Sequence, residues 1–257
     1  MNKMYNYFPK YVDRTDRDTF HVNMSKFDNK IVIFGDSYAK PHEGSEEDLN
    51  KNWYSILSYR TQRQVVLYSQ AGTSLLYSKQ ELFNYLNSEL YNENDWIIFI
   101  TTSFTRIPFV HIEDGWKYHQ QSQILSYILK ENLRDEDYHI IKKNENTLKW
   151  LSRGISQEDF INDMRIMSTF LKSLPNKTLL IPGFYYQGIE KFLDIKDFYL
   201  NGVSQYENIH EHILSLNRDM RYNHMSDGNN KVLATKITDY FKNGDTNVFS
   251  MEGFERE

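Results

Sequence analysis

The clearest pattern along the chain is a set of short, almost wholly apolar runs, each bounded by polar or turn-forming residues. The first, at 30–37, reads KIVIFGDS. Four consecutive apolar residues, three of them β-branched, are typical of a strand buried on both faces. Three further runs, QVVLYS, DWIIFITT and TLLIPGF, occupy 64–69, 95–102 and 178–184. The pattern therefore predicts four buried strands.

Between and after these runs, apolar residues recur at helical spacing. A short stripe begins at Trp53, and a helix is predicted over 75–90. Ser156 followed by Asp159 is typical of a helix start, and a long apolar stripe follows it. Three more helices are predicted, over 121–132, 209–216 and 231–241. Strands that alternate with helices favour a parallel sheet with right-handed crossovers.

The same patterns divide the chain into parts. Residues 1–28 are polar and aromatic without periodicity, and are interpreted as an N-terminal extension draped on the domain. The domain itself is predicted over 29–243, with an insertion at about 105–155, and 244–257 is expected to be a loosely held tail. A chain of 257 residues can bury a full core without a second domain.

Composition and charge exclude several classes of function. The formal net charge is −5, and 30 basic residues are scattered among 35 acidic ones, so we expect no nucleic-acid partner. No run approaches the roughly 20 apolar residues of a membrane helix, and the amino terminus lacks a signal peptide's apolar core. We therefore expect no membrane partner.

Cofactor and metal chemistry also find no support in the sequence. The chain has no cysteine, which excludes disulfides, thiolate nucleophiles and cysteine zinc sites. His210 and His212 are two residues apart, so they do not share a helix face, and no third metal ligand accompanies them. Glycine-rich nucleotide-binding motifs are absent from the sequence. We expect neither a metal nor a cofactor.

Polar residues at the predicted strand ends carry the candidate chemistry. Ser37 directly follows the first strand, Gly72 follows the second, and Thr102 and Ser103 follow the third. Ligands of open α/β sheets bind at this edge. His224 precedes the closing helix. Serine hydrolysis needs a nucleophile, an imidazole base and donors for the oxyanion, and the chain has a candidate for each.

These residues resemble the sequence blocks of the SGNH hydrolases, also called the GDSL lipase/esterase family. The GDS tripeptide at 35–37 matches the family's first block in full. The resemblance implies Ser37 as nucleophile, the amides of Ser37 and Gly72 as oxyanion donors, and His224 as base. The matching blocks occur in the family's order over about 30–241. The resemblance implies a flavodoxin-like SGNH hydrolase fold, a three-layer α/β/α sandwich with a central parallel sheet.

The predicted oxyanion site departs from the family pattern. The third block of the family usually contains an asparagine that donates to the oxyanion, and this chain has a Thr-Thr-Ser sequence there. Ser103 takes that position on the simplest register, and Thr102 takes it if the register slips by one. A hydroxyl still donates, with shorter reach than a carboxamide. Asp36 is interpreted as a structural residue that bonds the turn.

The acid of the triad is the second departure. Three residues before His224 the family has an aspartate, and this chain has Arg221. Asp219, five residues before the histidine, or Asp227, three after it, is a candidate to orient the imidazole. The third alternative is a dyad of Ser37 and the histidine, helped by a backbone carbonyl.

The resemblance implies a serine ester hydrolase that works through an acyl-enzyme. We expect a small acyl ester as substrate, such as a carbohydrate O-acetyl group, since a 15% aromatic content suits sugar stacking. Two alternatives stay open: a catalytically silent SGNH-fold binding or structural module, and an acyltransferase with the same site. The His224 block also looks like phage-encoded versions of the family, which implies a cytoplasmic or virion-associated setting. No oligomeric state follows from the sequence.

Overall fold

The computed structural model describes residues 19–22, 27–36, 38–39, 51–69, 74–103, 106–111, 115–120, 156–191, 193, 198–200, 225–244 and 249–255. The strands in these parts are β1 (Thr19–Val22), β2 (Lys30–Gly35), β3 (Gln64–Ser69), β4 (Trp96–Ile100), β5 (Arg106–His111), β6 (Gly115–Gln120) and β7 (Lys177–Ile181). The α-helices are α1 (Trp53–Thr61), α2 (Leu75–Leu86), α3 (Gln157–Ser173) and α4 (Asp227–Asn243), and a 3₁₀ turn spans Ile189–Lys191.

The main sheet has the strand order β1-β3-β2-β4-β7. Four of its strands are parallel, and β1 pairs antiparallel with β3 at the edge. Numbered along the chain, the parallel strands lie in the order 2-1-3-4, which is the flavodoxin-like order. The predicted parallel α/β sheet is therefore confirmed. Strand order reverses between β2 and β4, so their carboxyl ends form the switch point where such sheets bind ligands.

Strand β2 lies at the centre of both cores, which explains its continuous apolar run. Ile31 and Ile33 pack on the face covered by α1 and α4, whereas Val32 and Phe34 pack on the face covered by α2 and α3. All four side chains are completely buried. A strand covered on both faces has no solvent side, so no polar alternation is seen. The predicted three-layer α/β/α sandwich is confirmed.

Two buried polar side chains hold the strands together at the amino edge of the sheet. The Asp95 carboxylate accepts from the backbone N–H of Lys30 at 3.2 Å and from the Tyr85 hydroxyl. Burial, together with this hydrogen bond, raises the pKa of Tyr85 above its usual range. Asn176 accepts from the Tyr91 hydroxyl and donates to three carbonyls of the turn before β4. Both side chains lie at the amino edge of the sheet. The candidate site residues follow the carboxyl ends of the strands, at the opposite edge.

The C-terminal segment differs from its prediction as a loosely held tail, which is wrong for the described residues 249–255. Phe249 and Phe254 are buried, and both rings pack against Phe198, with centroids 5.7 and 5.4 Å away. Phe249 also contacts Tyr240 of α4 at 5.6 Å. The segment is thus part of the core on the α1–α4 face.

Several element boundaries also differ from the predictions. Strand β1 lies within the predicted extension, where no strand was expected. Helix α2 ends at Leu86 rather than at residue 90, and α4 begins at Asp227 rather than at 231. Strands β5 and β6 pair as a hairpin within the predicted insertion. The helices predicted over 121–132 and 209–216 lie outside the described residues. None of the described helices has the length and apolarity to span a membrane.

Candidate functional site

A tight turn follows β2 at the switch point. The backbone N–H of Ala39 donates to the carbonyl of Asp36 at 3.0 Å, which closes the turn within four residues. A Cβ at Gly35 would lie 3.1 Å from the Cβ of Ile100 in β4 and 3.3 Å from that of Ala39. Because glycine has no such atom, the turn can pack directly against the end of β4.

The carboxylate of Asp36 holds this turn from inside. It is completely buried, and its Oδ1 accepts from the backbone N–H of Tyr38 at 3.1 Å. Its Oδ2 accepts from the hydroxyl of Thr102, just beyond β4, at 2.8 Å. The interpretation of Asp36 as a structural residue of the turn is therefore confirmed. The hydroxyl proton of Thr102 is used in this bond, and the next residue, Ser103, is partly exposed.

The end of β7 packs closely against the end of β4. The backbone N–H of Gly183 donates to Oγ1 of Thr101 at 3.0 Å, and a Cβ at Gly183 would overlap the Thr101 carbonyl oxygen. The next side chain, Phe184, meets the Tyr38 ring edge-on, with centroids 6.4 Å apart. The turn after β2 thus contacts the segment that follows β7.

Hydrogen bonds also connect the turn to the start of α4. The indole Nε1 of Trp53 donates to the carbonyl of Tyr38 at 3.0 Å, and the backbone N–H of Trp53 donates to Oδ1 of Asn230 at 2.9 Å. Nδ2 of Asn230 then donates to the carbonyls of Met225 at 3.2 Å and Ser226 at 2.9 Å. We call this series of hydrogen bonds the Trp53–Asn230 link. It joins residue 38 to residue 225.

The start of α4 has its own cap. The hydroxyl of Ser226 accepts from the backbone N–H of Asn229 at 3.0 Å, as expected of an N-cap serine. The Asn229 side chain accepts from the N–H of Glu255 at 2.8 Å and donates to its carbonyl at 3.0 Å. The C-terminal segment therefore fixes the amino end of α4. The candidate acid Asp227 lies in the first turn.

Two further hydroxyls at this edge are buried without a hydrogen-bond partner. Ser69 ends β3, and Ser74 precedes α2. The side-chain oxygens of both are unpaired as far as the structure describes. Buried polar groups are usually paired, and a bound water, an ion or a functional role accounts for the exceptions. These two flank residues 70–73 at the carboxyl edge.

An aromatic pair with one exposed and one partly buried ring lies at the same edge. Tyr185 follows β7 and is 53% exposed, and its ring centroid lies 5.7 Å from that of Tyr199. Among the described residues, the other large apolar side chains this exposed are Tyr59, Leu90 and Ile166. They lie on α1, in the turn before β4 and on α3, away from the carboxyl edge.

The structure covers the predicted site in part. Thr102 and Ser103 lie after β4, at the switch point. The remaining predicted site residues lie outside the described residues; they are Ser37, Gly72, Asp219 and His224. Sequence reasoning missed Trp53 and Asn230 as members of the site. No local signal marks them, because their hydrogen bond joins positions 177 residues apart.

The solved structures similar to this chain include two proteins of one family. A protein from Desulfitobacterium hafniense assigned to the lipolytic G-D-S-L family is similar over 82% of this chain and 98% of its own, with 14% identity and a TM-score of 0.37. A member of the same family from Veillonella parvula is similar over 84% of this chain and 100% of its own, with 13% identity and a TM-score of 0.39. No family model and no curated protein matches the chain. By its strand order, the chain is an α/β protein with a flavodoxin-like parallel sheet.

Proposed function

We propose that the protein is a serine ester hydrolase. In this mechanism, Oγ of Ser37 attacks the ester carbonyl while His224 takes its proton. The tetrahedral intermediate collapses to an acyl-enzyme, and His224 returns the proton to the leaving alcohol. Water, deprotonated by the same imidazole, then attacks the acyl group and regenerates the serine.

The Trp53–Asn230 link is the observation that carries this proposal. It ties the residue after Ser37 to the residue after His224 through three consecutive hydrogen bonds. Consecutive Cα atoms are about 3.8 Å apart, so the proposed nucleophile and base are each one peptide unit from the link. The link lies at the carboxyl edge of the sheet, where a substrate is expected to bind.

The proposed oxyanion donors are residues that follow strands at the same edge of the sheet. We assign this role to the amides of Ser37 and Gly72 and to the hydroxyl of Ser103. Ser103 takes this position on the simplest register, and the hydroxyl of the alternative, Thr102, donates to Asp36. Asp219 is the proposed partner of the imidazole.

The test of this function is hydrolysis of p-nitrophenyl esters from acetyl to octanoyl. We expect turnover to be highest with acetyl and to be lost in Ser37→Ala, because no other group supplies the nucleophile. An equal rate in Ser37→Ala would refute the mechanism. No turnover by the wild type would favour a catalytically silent module. A product shifted from free acid to new ester on adding alcohol acceptors would indicate an acyltransferase.

We further propose a carbohydrate ester as the substrate class, because the exposed ring of Tyr185, which packs against Tyr199, lies at the carboxyl edge. Aromatic rings offer an apolar face and a polar rim, and both suit a sugar ring. The segment of Tyr185 reaches the proposed site through Phe184, which contacts the ring of Tyr38.

Substitution of Tyr185 tests this substrate class. Tyr185→Ala is expected to raise KM for an acetylated xylo-oligosaccharide by about fivefold, the effect of losing one aromatic contact of about 1 kcal/mol. KM for p-nitrophenyl acetate should not change. Tyr59→Ala is the matched control, since Tyr59 is 52% exposed on α1 and away from the site. An equal effect on both substrates, or an equal effect in the control, would contradict the sugar subsite.

A further inference from the structure

We propose that Asn230 is a positioning residue, which holds the backbone next to His224 in register with the turn that carries Ser37. This inference rests on the proposed function and adds a residue to it. Asn230 lies on α4 and does not belong to the predicted nucleophile, base, acid or oxyanion donors.

Both polar atoms of the Asn230 side chain form hydrogen bonds, and two of the three partners, Trp53 and Met225, lie outside α4. Its Oδ1 accepts from the backbone N–H of Trp53, and its Nδ2 donates to the carbonyls of Met225 and Ser226. The residue is only 7% exposed. A buried amide bonded in this way restricts the adjacent backbone, because Oδ1 would be left buried and unpaired without Trp53, and Nδ2 without the two carbonyls.

Helix capping does not explain this arrangement. Ser226 already caps α4, and the side chain of Asn229 is taken up by Glu255. Met225 lies before the first turn of the helix, and its carbonyl is bonded by Asn230. The bond therefore fixes the peptide between Met225 and Ser226, one residue beyond His224, which the cap leaves alone.

The other end of the link fixes the nucleophile turn. Helix α1 begins at Trp53, and its N-cap residue, Asn52, makes no side-chain cap hydrogen bond. Asn230 accepts from one of the N–H groups that a helix start leaves unpaired. The indole of Trp53, held in place in this way, donates to the carbonyl of Tyr38. One asparagine thus sets the distance between the two backbone segments.

The chain offers a matched control for this role. Asn176 is also 7% exposed and also bonds three carbonyls, but at the amino edge of the sheet. Asn230→Leu and Asn176→Leu each remove a buried amide of similar size. Asn230→Asp keeps an acceptor for Trp53 and removes the donors to the two carbonyls.

The experiment measures kcat, KM and the melting temperature with p-nitrophenyl acetate as substrate. We expect Asn230→Leu to lower kcat per folded molecule by about 10²-fold, since a misplacement of about 1 Å has this effect. KM should stay within about twofold of wild type. Asn230→Asp should lower kcat less. Asn176→Leu should lower the melting temperature without changing kcat. The pH dependence of kcat/KM should shift in the Asn230 variants alone, because the environment of the base changes.

The outcomes separate this inference from the proposed function. If wild type shows turnover that depends on Ser37 and His224, but both Asn230 variants keep the wild-type kcat, the positioning role alone is refuted. An equal loss of kcat in Asn176→Leu also refutes it. Wild type without Ser37-dependent turnover refutes both proposals. If Asn230→Leu does not fold, kcat of Asn230→Asp and of Trp53→Phe decides whether the positioning role holds. Trp53→Phe removes the indole donor to Tyr38.

Discussion

Replacement of His224 with glutamine is expected to lower kcat on p-nitrophenyl acetate by about 10⁴-fold, the upper range for loss of a general base. Glutamine can form hydrogen bonds at this position but cannot take a proton from the serine. The wild-type rate should rise with pH as the imidazole loses its proton, because only the neutral form accepts one.

Two comparisons make the His224 result specific. Residues that act as one unit are not additive, so the double variant Ser37→Ala/His224→Gln should be no less active than Ser37→Ala alone. His210→Gln removes a histidine that the mechanism does not use, and it should retain full activity. A His224→Gln variant with more than a tenth of the wild-type kcat would eliminate this residue as the base.

Asp36→Ala is expected to have the second largest effect, on both stability and turnover. The substitution leaves the N–H of Tyr38 and the hydroxyl of Thr102 buried without their acceptor. Each lost bond to a charged group destabilises by about 1.5–3 kcal/mol, so the free energy of unfolding should fall by about 3–6 kcal/mol. Because the turn carries Ser37, kcat of the remaining folded protein should fall by about 10²-fold.

Asp95→Ala is the control for this prediction. Asp95 is also a buried carboxylate that accepts from a backbone N–H and a hydroxyl, but it lies at the opposite end of the sheet. The Asp95→Ala substitution should lower the free energy of unfolding, measured by chemical denaturation, to a similar extent. It should leave kcat of the folded fraction unchanged. Asp36→Asn, which keeps one acceptor, should lie between wild type and Asp36→Ala. Equal kcat losses in the Asp36→Ala and Asp95→Ala variants would mean that the turn has no special role.

The sheet could be predicted from the sequence because its strands are buried on both faces. The continuous run from Ile31 to Phe34 reports that environment directly, and the alternation of such runs with helical stripes favours a parallel sheet. Strand β1 could not be predicted in the same way. Its four residues pair with β3 at an edge, and the register of Thr19 with Tyr68 joins positions far apart in the sequence.

The helix end and the C-terminal segment show a second limit. Leu90 extends the apolar pattern of α2 but is exposed, so the pattern continues beyond the helix. Phe249 and Phe254 have no periodic context, and their burial depends on contacts with Phe198 and α4. Isolated aromatic residues therefore give no sign of a packed segment.

The candidate site, too, could be predicted from the sequence only in part. The GDS turn is local, and its structural carboxylate could be inferred from the tripeptide and the strand before it. Its bond to Thr102 spans 66 residues, and the bond between Trp53 and Asn230 spans 177. Such contacts depend on which helix lies next to which, and no spacing within the sequence encodes them.

The central claim is that Ser37 is a nucleophile activated by His224, and covalent labelling tests it most directly. The protein is treated with a fluorophosphonate and the modified residue is located by peptide mass spectrometry. We predict one adduct, on Ser37, that forms at least a hundredfold more slowly in His224→Gln, in proportion to the loss of general-base catalysis of about 10²–10⁴. An adduct on another serine, such as Ser69 or Ser103, no adduct at all, or an unchanged rate in His224→Gln would contradict the claim.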